Sequence, residues 1–148
     1  MTPRTALFPG SFDPFTIGHK AIVLRALRLF DHVIVAIGVN SDKQYMFSVE
    51  ERKARILDFL DGVAGVSICS YNDMTVDCCR RLGVEFIIRG IRNVDDFDYE
   101  RQVAAVNRHL APEIDTVFFL SDTHMEHISS TIERERLLHE VRLSNNIC

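Results

Sequence analysis

The stretch LFPGSFDPFTIGH, residues 7–19, is an apolar run that stops at Pro9-Gly10, bends through two prolines and ends on His19. Thr16 and His19 bring side-chain donors to the point where the next helix should begin. The first-turn amides of that helix are unpaired and carry the positive end of its dipole, so they suit an anion. Gly10 and Gly18 allow the backbone to approach a ligand where a Cβ would block it. The chemistry suggested is a phosphate site with a histidine in it. Read alone, His19 is better explained as a helix cap or a satisfied polar side chain, and its spacing from Thr16 and Gly18 reverses that.

Four later stretches could add to such a site. Lys43 lies in a polar loop, and Asp73 and Thr75 lie in another. Arg89-Gly90-Ile91-Arg92 places a glycine between two cations, and Ile128-Ser129-Ser130-Thr131 is a hydroxyl-rich helix start. Arg89 and Arg92 could instead pair with Asp95, Asp96 or Asp98, and a lysine in a polar loop is usually solvated. Gathered on one edge of a sheet with Ser11, Thr16 and His19, these groups would form a polyphosphate site. The usual phosphate fingerprints are missing: neither G-x-G-x-x-G nor G-x-x-x-x-G-K-[ST] occurs, and there is no G-x-S-x-G elbow.

The elements that must position these residues can be read from periodicity. Apolar, strand-like runs occur at 5–8, 32–39, 66–71, 85–88 and 116–120. Between them helical patterns cover 18–30, 49–62, 76–82 and 95–110, and a last helix starts at Ser129 or Ser130 and runs to about 142. Ser48-x-x-Glu51 and Ser130-x-x-Glu133 have capping-box spacing, residues 72–75 offer capping side chains, and Gly83 closes a helix. Asp95, Asp96, Asp98 and Glu100 load the first turns of the longest helix with charge that its dipole favours. Strands alternating with helices imply parallel crossovers and an α/β class. In such sheets ligands sit outside the carboxyl ends of the strands, where strand order reverses. The five loops leaving those ends carry all the candidates above. No repeat or linker interrupts the chain, so residues 1–148 are read as one domain.

Composition is ordinary for a globular protein and excludes collagen-like, disordered and low-complexity classes: 148 residues, 47% hydrophobic, 26% charged, 7 Gly and 4 Pro. A net charge of -4 argues against nonspecific nucleic-acid binding, so any anion site must be concentrated. No run approaches the roughly 20 apolar residues of a membrane helix, and no leader pattern opens the chain. Cys69, Cys78, Cys79 and Cys148 lack metal-ligand spacing and are read as reduced and structural. The expectation is a cytoplasmic protein with neither nucleic-acid nor membrane partners.

At Thr16-Ile17-Gly18-His19 the chain resembles the T/H-x-G-H nucleotidyltransferases. The segments 9–14, 46–52, 88–92, 96–100, 107–110 and 128–131 are, in order and spacing, similar to the bacterial phosphopantetheine adenylyltransferase family. That resemblance spans about residues 5–132. It implies a Rossmann-like, doubly wound, five-stranded parallel sheet with helices on both faces. It also implies that ATP and 4′-phosphopantetheine give dephospho-coenzyme A and pyrophosphate, the penultimate step of coenzyme A biosynthesis. Magnesium (Mg2+) would be held by the ATP phosphates rather than by protein side chains. Carried over by position, Ser11, Phe12, His19, Gly90, Ile91, Arg92, Glu100 and the 125–131 loop (Met125, Glu126, His127, Ile128, Ser129, Ser130, Thr131) fall on ATP positions. Ser11, Lys43, Asp73, Thr75 and Arg89 fall on phosphopantetheine positions, and His19, Lys43 and Arg89 on catalytic ones. Family members are usually hexamers inhibited by coenzyme A. The chain departs from the family at Met125 and His127, where aromatic residues are usual. It departs again at 133–148, a charged segment without Gly or Pro where the family has a glycine and a short strand. The alternatives are a nicotinamide-mononucleotide adenylyltransferase, a glycerophosphate cytidylyltransferase, or a nucleotide-binding regulator without catalysis.

Overall fold

A computed structural model describes residues 2–122 and 128–145. Among the described residues, strands and helices alternate as β1 (Thr5–Gly10), α1 (Ile17–Ala26), β2 (His32–Gly38), α2 (Val49–Phe59), β3 (Val66–Tyr71), α3 (Thr75–Leu82), β4 (Phe86–Ile91), α4 (Val94–Leu110), β5 (Asp115–Leu120) and α5 (Ser130–Asn145). The strands form one parallel sheet in the order β3-β2-β1-β4-β5. Strand order therefore reverses at β1, with β2 and β3 on one side and β4 and β5 on the other.

Both faces of the sheet are covered, which is why its central strands are almost continuously apolar. Ala6, Phe8, Val33, Val35 and Ile37 face one way and pack with Ile22, Val23 and Ala26 of α1 and Ile56 of α2. Leu7, Ala36 and Ile87 face the other way, with Val76, Cys78 and Cys79 of α3 and with Ala111 and Ile114 just past α4. The doubly wound arrangement implied by the sequence is the one adopted.

The carboxyl edge opens between β1 and β4. All six residues of β1 pair with β2, but only Ala6 and Leu7 pair with β4. Pro9 has no N–H with which to continue that ladder. Its carbonyl accepts instead from the Arg89 side chain, which bridges the parted strands.

Several local expectations are corrected. The strand expected at 85–88 continues to Ile91, so Arg89, Gly90 and Ile91 are ladder residues opposite Phe118, Phe119 and Leu120 rather than a loop. Backbone pairing with β5 does not depend on the polar side chain at 89. A Cβ at Gly90 would come within 3.2 Å of Ile22, so glycine lets α1 seat on β4. The first helix ends at Ala26 instead of 30, and a tight turn delivers Phe30 to the core. At α3 the N-cap is Met74 and no side chain caps it; Asp73 pairs with Arg81. At α5 the capping side chain is Ser129, whose Oγ accepts from Ile132 N at 3.1 Å, and not Ser130. The Ser130 hydroxyl donates to the Pro14 carbonyl at 2.8 Å, fastening α5 to the turn after β1.

Candidate active site

His19 is locked by the helix it helps to start. Thr16, the N-cap of α1, accepts from His19 N through Oγ1 at 3.4 Å, and its own N–H donates to His19 Nδ1 at 2.9 Å. Histidine thus fills the role that Glu or Gln has in a capping box. Because Nδ1 accepts, the proton of the neutral ring sits on Nε2. The ring packs edge-on to Phe12, with centroids 5.1 Å apart, and against Phe15 at 5.2 Å. Crowding by these rings, then the Arg89 and Arg92 charges, push its pKa down from 6.5 to about 3. By area His19 is nonetheless only half-buried, since one ring edge lines a cavity. The turn therefore presents a neutral imidazole with an Nε2–H donor.

The backbone around the turn is tightly held. Phe12 adopts φ 49°, a left-handed value costly outside glycine. Its ring lies over Gly10, where a Cβ would meet Cζ at 2.9 Å. The buried Asp13 carboxylate accepts from Met46 N at 2.8 Å and Phe47 N at 2.9 Å, drawing the loop after β2 over the turn. Buried Arg52 donates to the carbonyls of Ser11 (2.8 Å), Gly38 (3.2 Å) and Ser48 (3.4 Å) and stacks on Tyr45 at 4.1 Å. Lys43, on the loop so anchored, reaches Ser11 Oγ with Nζ at 3.2 Å.

From the other side of the opening come two arginines with carboxylate partners. Arg89 Nε and Nη2 donate to Glu100 of α4 at 2.9 and 2.6 Å. Burial alone would lower the Arg89 pKa, but Glu100 more than offsets it and the cation is firmly charged. Arg92 donates through Nε to Asp96 at 2.9 Å, and Asp96 also accepts from Arg92 N.

These groups stand between two cavities. The larger, about 860 Å³, runs between α3 and α4 and is lined by Tyr71, Asp73, Thr75, Tyr99, Val103 and Asn107 among others. The smaller, about 320 Å³, lies over α1 and the start of α5, with Thr16, His19, Arg92, Ser129 and Thr131 in its wall. Both are bounded by Pro9, Gly10, Ser11, Lys43, Arg89 and Glu100. Two ligands can therefore meet head to head at a wall bearing a hydroxyl, an ammonium and a guanidinium, with the histidine donor on one side.

Most residues singled out from the sequence are brought together here. Ser11, Phe12, Gly90, Arg92, Glu100, Ile128, Ser129, Ser130 and Thr131 line the smaller cavity with His19. Ser11, Lys43, Asp73, Thr75 and Arg89 line the larger. Ile91 is buried and lines neither. Phe12 is 3% exposed, so a ligand meets mainly its backbone. Asp73 is held by Arg81, and Thr75 Oγ1 is 3.1 Å from the Tyr71 hydroxyl. Met125, Glu126 and His127 lie outside the described residues. Sequence reasoning missed Asp13, Arg52, Tyr71 and Arg134. Of these only Asp13 had a signal, its place inside the Pro-Gly-to-His turn.

For a metal, the donor set is informative. Asp13, Asp96 and Glu100 are the carboxylates on the smaller cavity among the described residues, and each is already engaged by N–H donors. The same residues contain no cluster of three His, Cys, Asp or Glu that could hold an ion.

Residues 7–136 match the model of the cytidylyltransferase-like family. A parallel sheet carrying a T-x-G-H helix start and a phosphate-suited wall at its switch point is what that match leads one to expect, and the chain belongs to this family. Within it the chain is a member of the phosphopantetheine adenylyltransferases. It is 48% identical over 132 residues to the phosphopantetheine adenylyltransferase of Flavobacterium psychrophilum, covering 89% of this chain and 87% of that one. It is 49% identical over 136 residues to that of Lacticaseibacillus paracasei, covering 91% and 81%. The fold also superposes on a bifunctional NMN adenylyltransferase/ADP ribose pyrophosphatase from Francisella tularensis with a TM-score of 0.69 at 20% identity, over 91% of this chain and 42% of that one.

Proposed function

We propose that this chain is an enzyme transferring the adenylyl group of ATP to 4′-phosphopantetheine, releasing pyrophosphate and dephospho-coenzyme A in the penultimate step of coenzyme A biosynthesis. The observation that carries the proposal is the meeting of two cavities at Ser11, Lys43 and Arg89 beside the His19 donor. Phosphopantetheine occupies the larger cavity with its phosphate at that wall. ATP occupies the smaller one, with its α-phosphate at His19 Nε2 and its β- and γ-phosphates toward the start of α5.

An oxygen of the phosphopantetheine phosphate attacks the α-phosphorus in line. The new P–O bond forms as the bond to the bridging oxygen of the β-phosphate breaks, and pyrophosphate leaves with the electron pair. No side chain is needed as a nucleophile, so the protein's contribution is positioning and charge neutralisation. Lys43 and Arg89 bring two anions together, Ser11 touches both substrates, and neutral His19 donates to the α-phosphate oxygen that gains charge. Magnesium, when bound to the ATP phosphates, neutralises part of their charge. The engaged carboxylates favour its entry with the nucleotide, because Mg²⁺ keeps several waters and takes substrate phosphates as ligands.

Coenzyme A shares the pantetheine arm of the substrate and inhibits by entering the larger cavity. The assembly is a cytoplasmic homo-oligomer, a hexamer by resemblance, supported by apolar side chains exposed along α4, Val94 at 80% and Val106 at 57%. Pyrophosphate release from ATP with phosphopantetheine, nicotinamide mononucleotide or glycerol phosphate offered singly tests the assignment. Release with phosphopantetheine alone is expected. Release only with another acceptor, or with none, overturns it, the latter in favour of a nucleotide-binding regulator.

A further inference from the structure

The two cations on the wall between the cavities are held in opposite ways. Arg89 is fixed by the Glu100 carboxylate, which takes up part of its charge. Among the described residues Lys43 forms no ion pair, and its ammonium makes one hydrogen bond, to Ser11 Oγ at 3.2 Å. A lysine on an exposed loop carries rotamer freedom that a single bond to a hydroxyl does not remove. The remaining hold on it comes from Tyr45, whose ring centroid lies 5.4 Å from Lys43 Nζ, within the range of a cation–π contact.

Tyr45 is itself anchored twice. Its ring packs on the buried Arg52 guanidinium, 4.1 Å from the centroid, and three backbone carbonyls keep that guanidinium in place. The Tyr45 hydroxyl accepts from Asn40 N at 2.8 Å. Asn40 in turn accepts from Asp42 N through Oδ1 and from Lys43 N through its carbonyl, both at 3.0 Å. One phenol thus closes the loop from residue 40 to 45, with Lys43 inside it and both side chains on the wall of the larger cavity.

We propose that Tyr45 is a positioning residue for the transfer reaction: it holds the Lys43 ammonium against Ser11 and leaves the full charge of that ammonium to the substrate phosphates. The proposal rests on the adenylyl transfer assigned to this site. A carboxylate in the same place would fix the lysine too, but would repel every anion that enters. The face of a ring attracts the cation through its quadrupole and bears no net charge. The wall therefore keeps its pull on phosphate while the long side chain is ordered before the substrates arrive. The competing account is that Tyr45 only closes the loop, in which case its loss matters whether or not residue 43 is a lysine.

A double-mutant cycle separates the two. Turnover with ATP and phosphopantetheine is measured for the wild type, Tyr45→Leu, Tyr45→Phe, Lys43→Gln and the combination of Tyr45→Leu with Lys43→Gln. Tyr45→Leu is expected to lower kcat/KM for phosphopantetheine roughly 3- to 10-fold, the loss of a partly desolvated cation–π contact. Tyr45→Phe keeps the ring and should recover most of that loss. In the Lys43→Gln background the same Leu substitution should leave kcat/KM unchanged within about 1.5-fold, because two residues that act through one contact are not additive. An equal fall in both backgrounds would mean loop closure alone and overturn the proposal, and so would wild-type kinetics in Tyr45→Leu.

A second readout needs no substrate and so holds whatever the acceptor is. Lys20, Lys43 and Lys53 are the lysines of the chain, and Lys43→Gln identifies the Lys43 signals in the proton spectrum. The ε-methylene protons of Lys43 should lie upfield, shifted by the Tyr45 ring, in the wild type and in Tyr45→Phe, and lose that shift in Tyr45→Leu. If Tyr45→Leu does not fold, the wild-type spectrum decides, since a Lys43 signal no different from those of Lys20 and Lys53 overturns the proposal. Absence of wild-type turnover would sink the acceptor assignment instead, with the methylene shift still deciding whether Tyr45 holds Lys43.

Discussion

Replacing Glu100 by Gln perturbs the ion pair that fixes Arg89 at the meeting point of the cavities. Glu100 is 7% exposed, and its two oxygens accept from Arg89 at 2.6 and 2.9 Å. In the variant one oxygen becomes an NH₂ group pointing at a guanidinium, so one charge-assisted bond is lost and the carboxylate charge with it. Such a bond contributes about 1.5–3 kcal/mol, and stripping the partner from a fully buried pair costs about 3–5 kcal/mol. Arg89 keeps 30% of its side-chain area open to the cavity, so water compensates part of that loss. The lower figure, about 2 kcal/mol, is therefore expected, or a fall in Tm of roughly 4–8 °C for a chain of this size. The unpaired guanidinium should also take an anion more readily. Inorganic phosphate is expected to raise the Tm of the variant by more than that of the wild type, since a ligand stabilises by RT ln(1 + [L]/Kd). Thermal melts with and without phosphate measure both effects. An unchanged Tm, or equal responses to phosphate, would refute the idea that Glu100 governs the charge Arg89 presents.

Gly10→Ala sets a Cβ 2.9 Å from Phe12 Cζ. The ring is held edge-on by Phe8 at 5.2 Å, so the displacement passes to His19. A loss of about 1–3 kcal/mol in chemical denaturation, with lower kcat, is expected; wild-type values for both would contradict it. The low pKa of His19, about 3 in the folded chain against roughly 6.5 unfolded, makes stability pH-dependent. Between those values the unfolded chain binds the extra proton, so stability falls as pH drops through that window, by up to about 1.4 kcal/mol per unit. Urea melts from neutral to mildly acid pH should show this slope reduced by about one proton in His19→Asn; identical slopes would argue that His19 is charged in the native state.

Much of the architecture was legible because burial on both faces leaves its mark on sequence. The runs at 32–39 and 66–71 became β2 and β3 within a residue, and the Ser48 cap sits where its spacing puts it. What escaped depended on contacts distant in the chain. β4 outruns its apolar stretch because β5 supplies the ladder while the Arg89 side chain turns to Glu100, eleven residues on. Arg92 pairs with Asp96, as its spacing allows, yet it still lines the cavity. Arg52 looks like any surface arginine on α2 until three backbone carbonyls are found converging on it. The sequence offers His19 both as cap and as ligand group, and the fold places it to be both, one ring nitrogen for each.

That division of labour gives the most direct test of the central claim, that the His19 Nε2–H donor assists transfer at the α-phosphate. In His19→Asn the side-chain oxygen can replace Nδ1 as acceptor for Thr16 N–H, but nothing replaces Nε2. In His19→Gln the side-chain oxygen can keep the cap, as Gln does in a capping box, or the amide nitrogen can replace Nε2, but one side chain cannot do both at once. Turnover with ATP and phosphopantetheine, measured beside Tm and ATP affinity, should fall about 10²- to 10³-fold in the Asn variant, with Tm and ATP binding kept. The Gln variant should exceed Asn in activity only to the extent that its amide leaves the cap, with Tm falling in step. Near-normal turnover in His19→Asn would contradict the account.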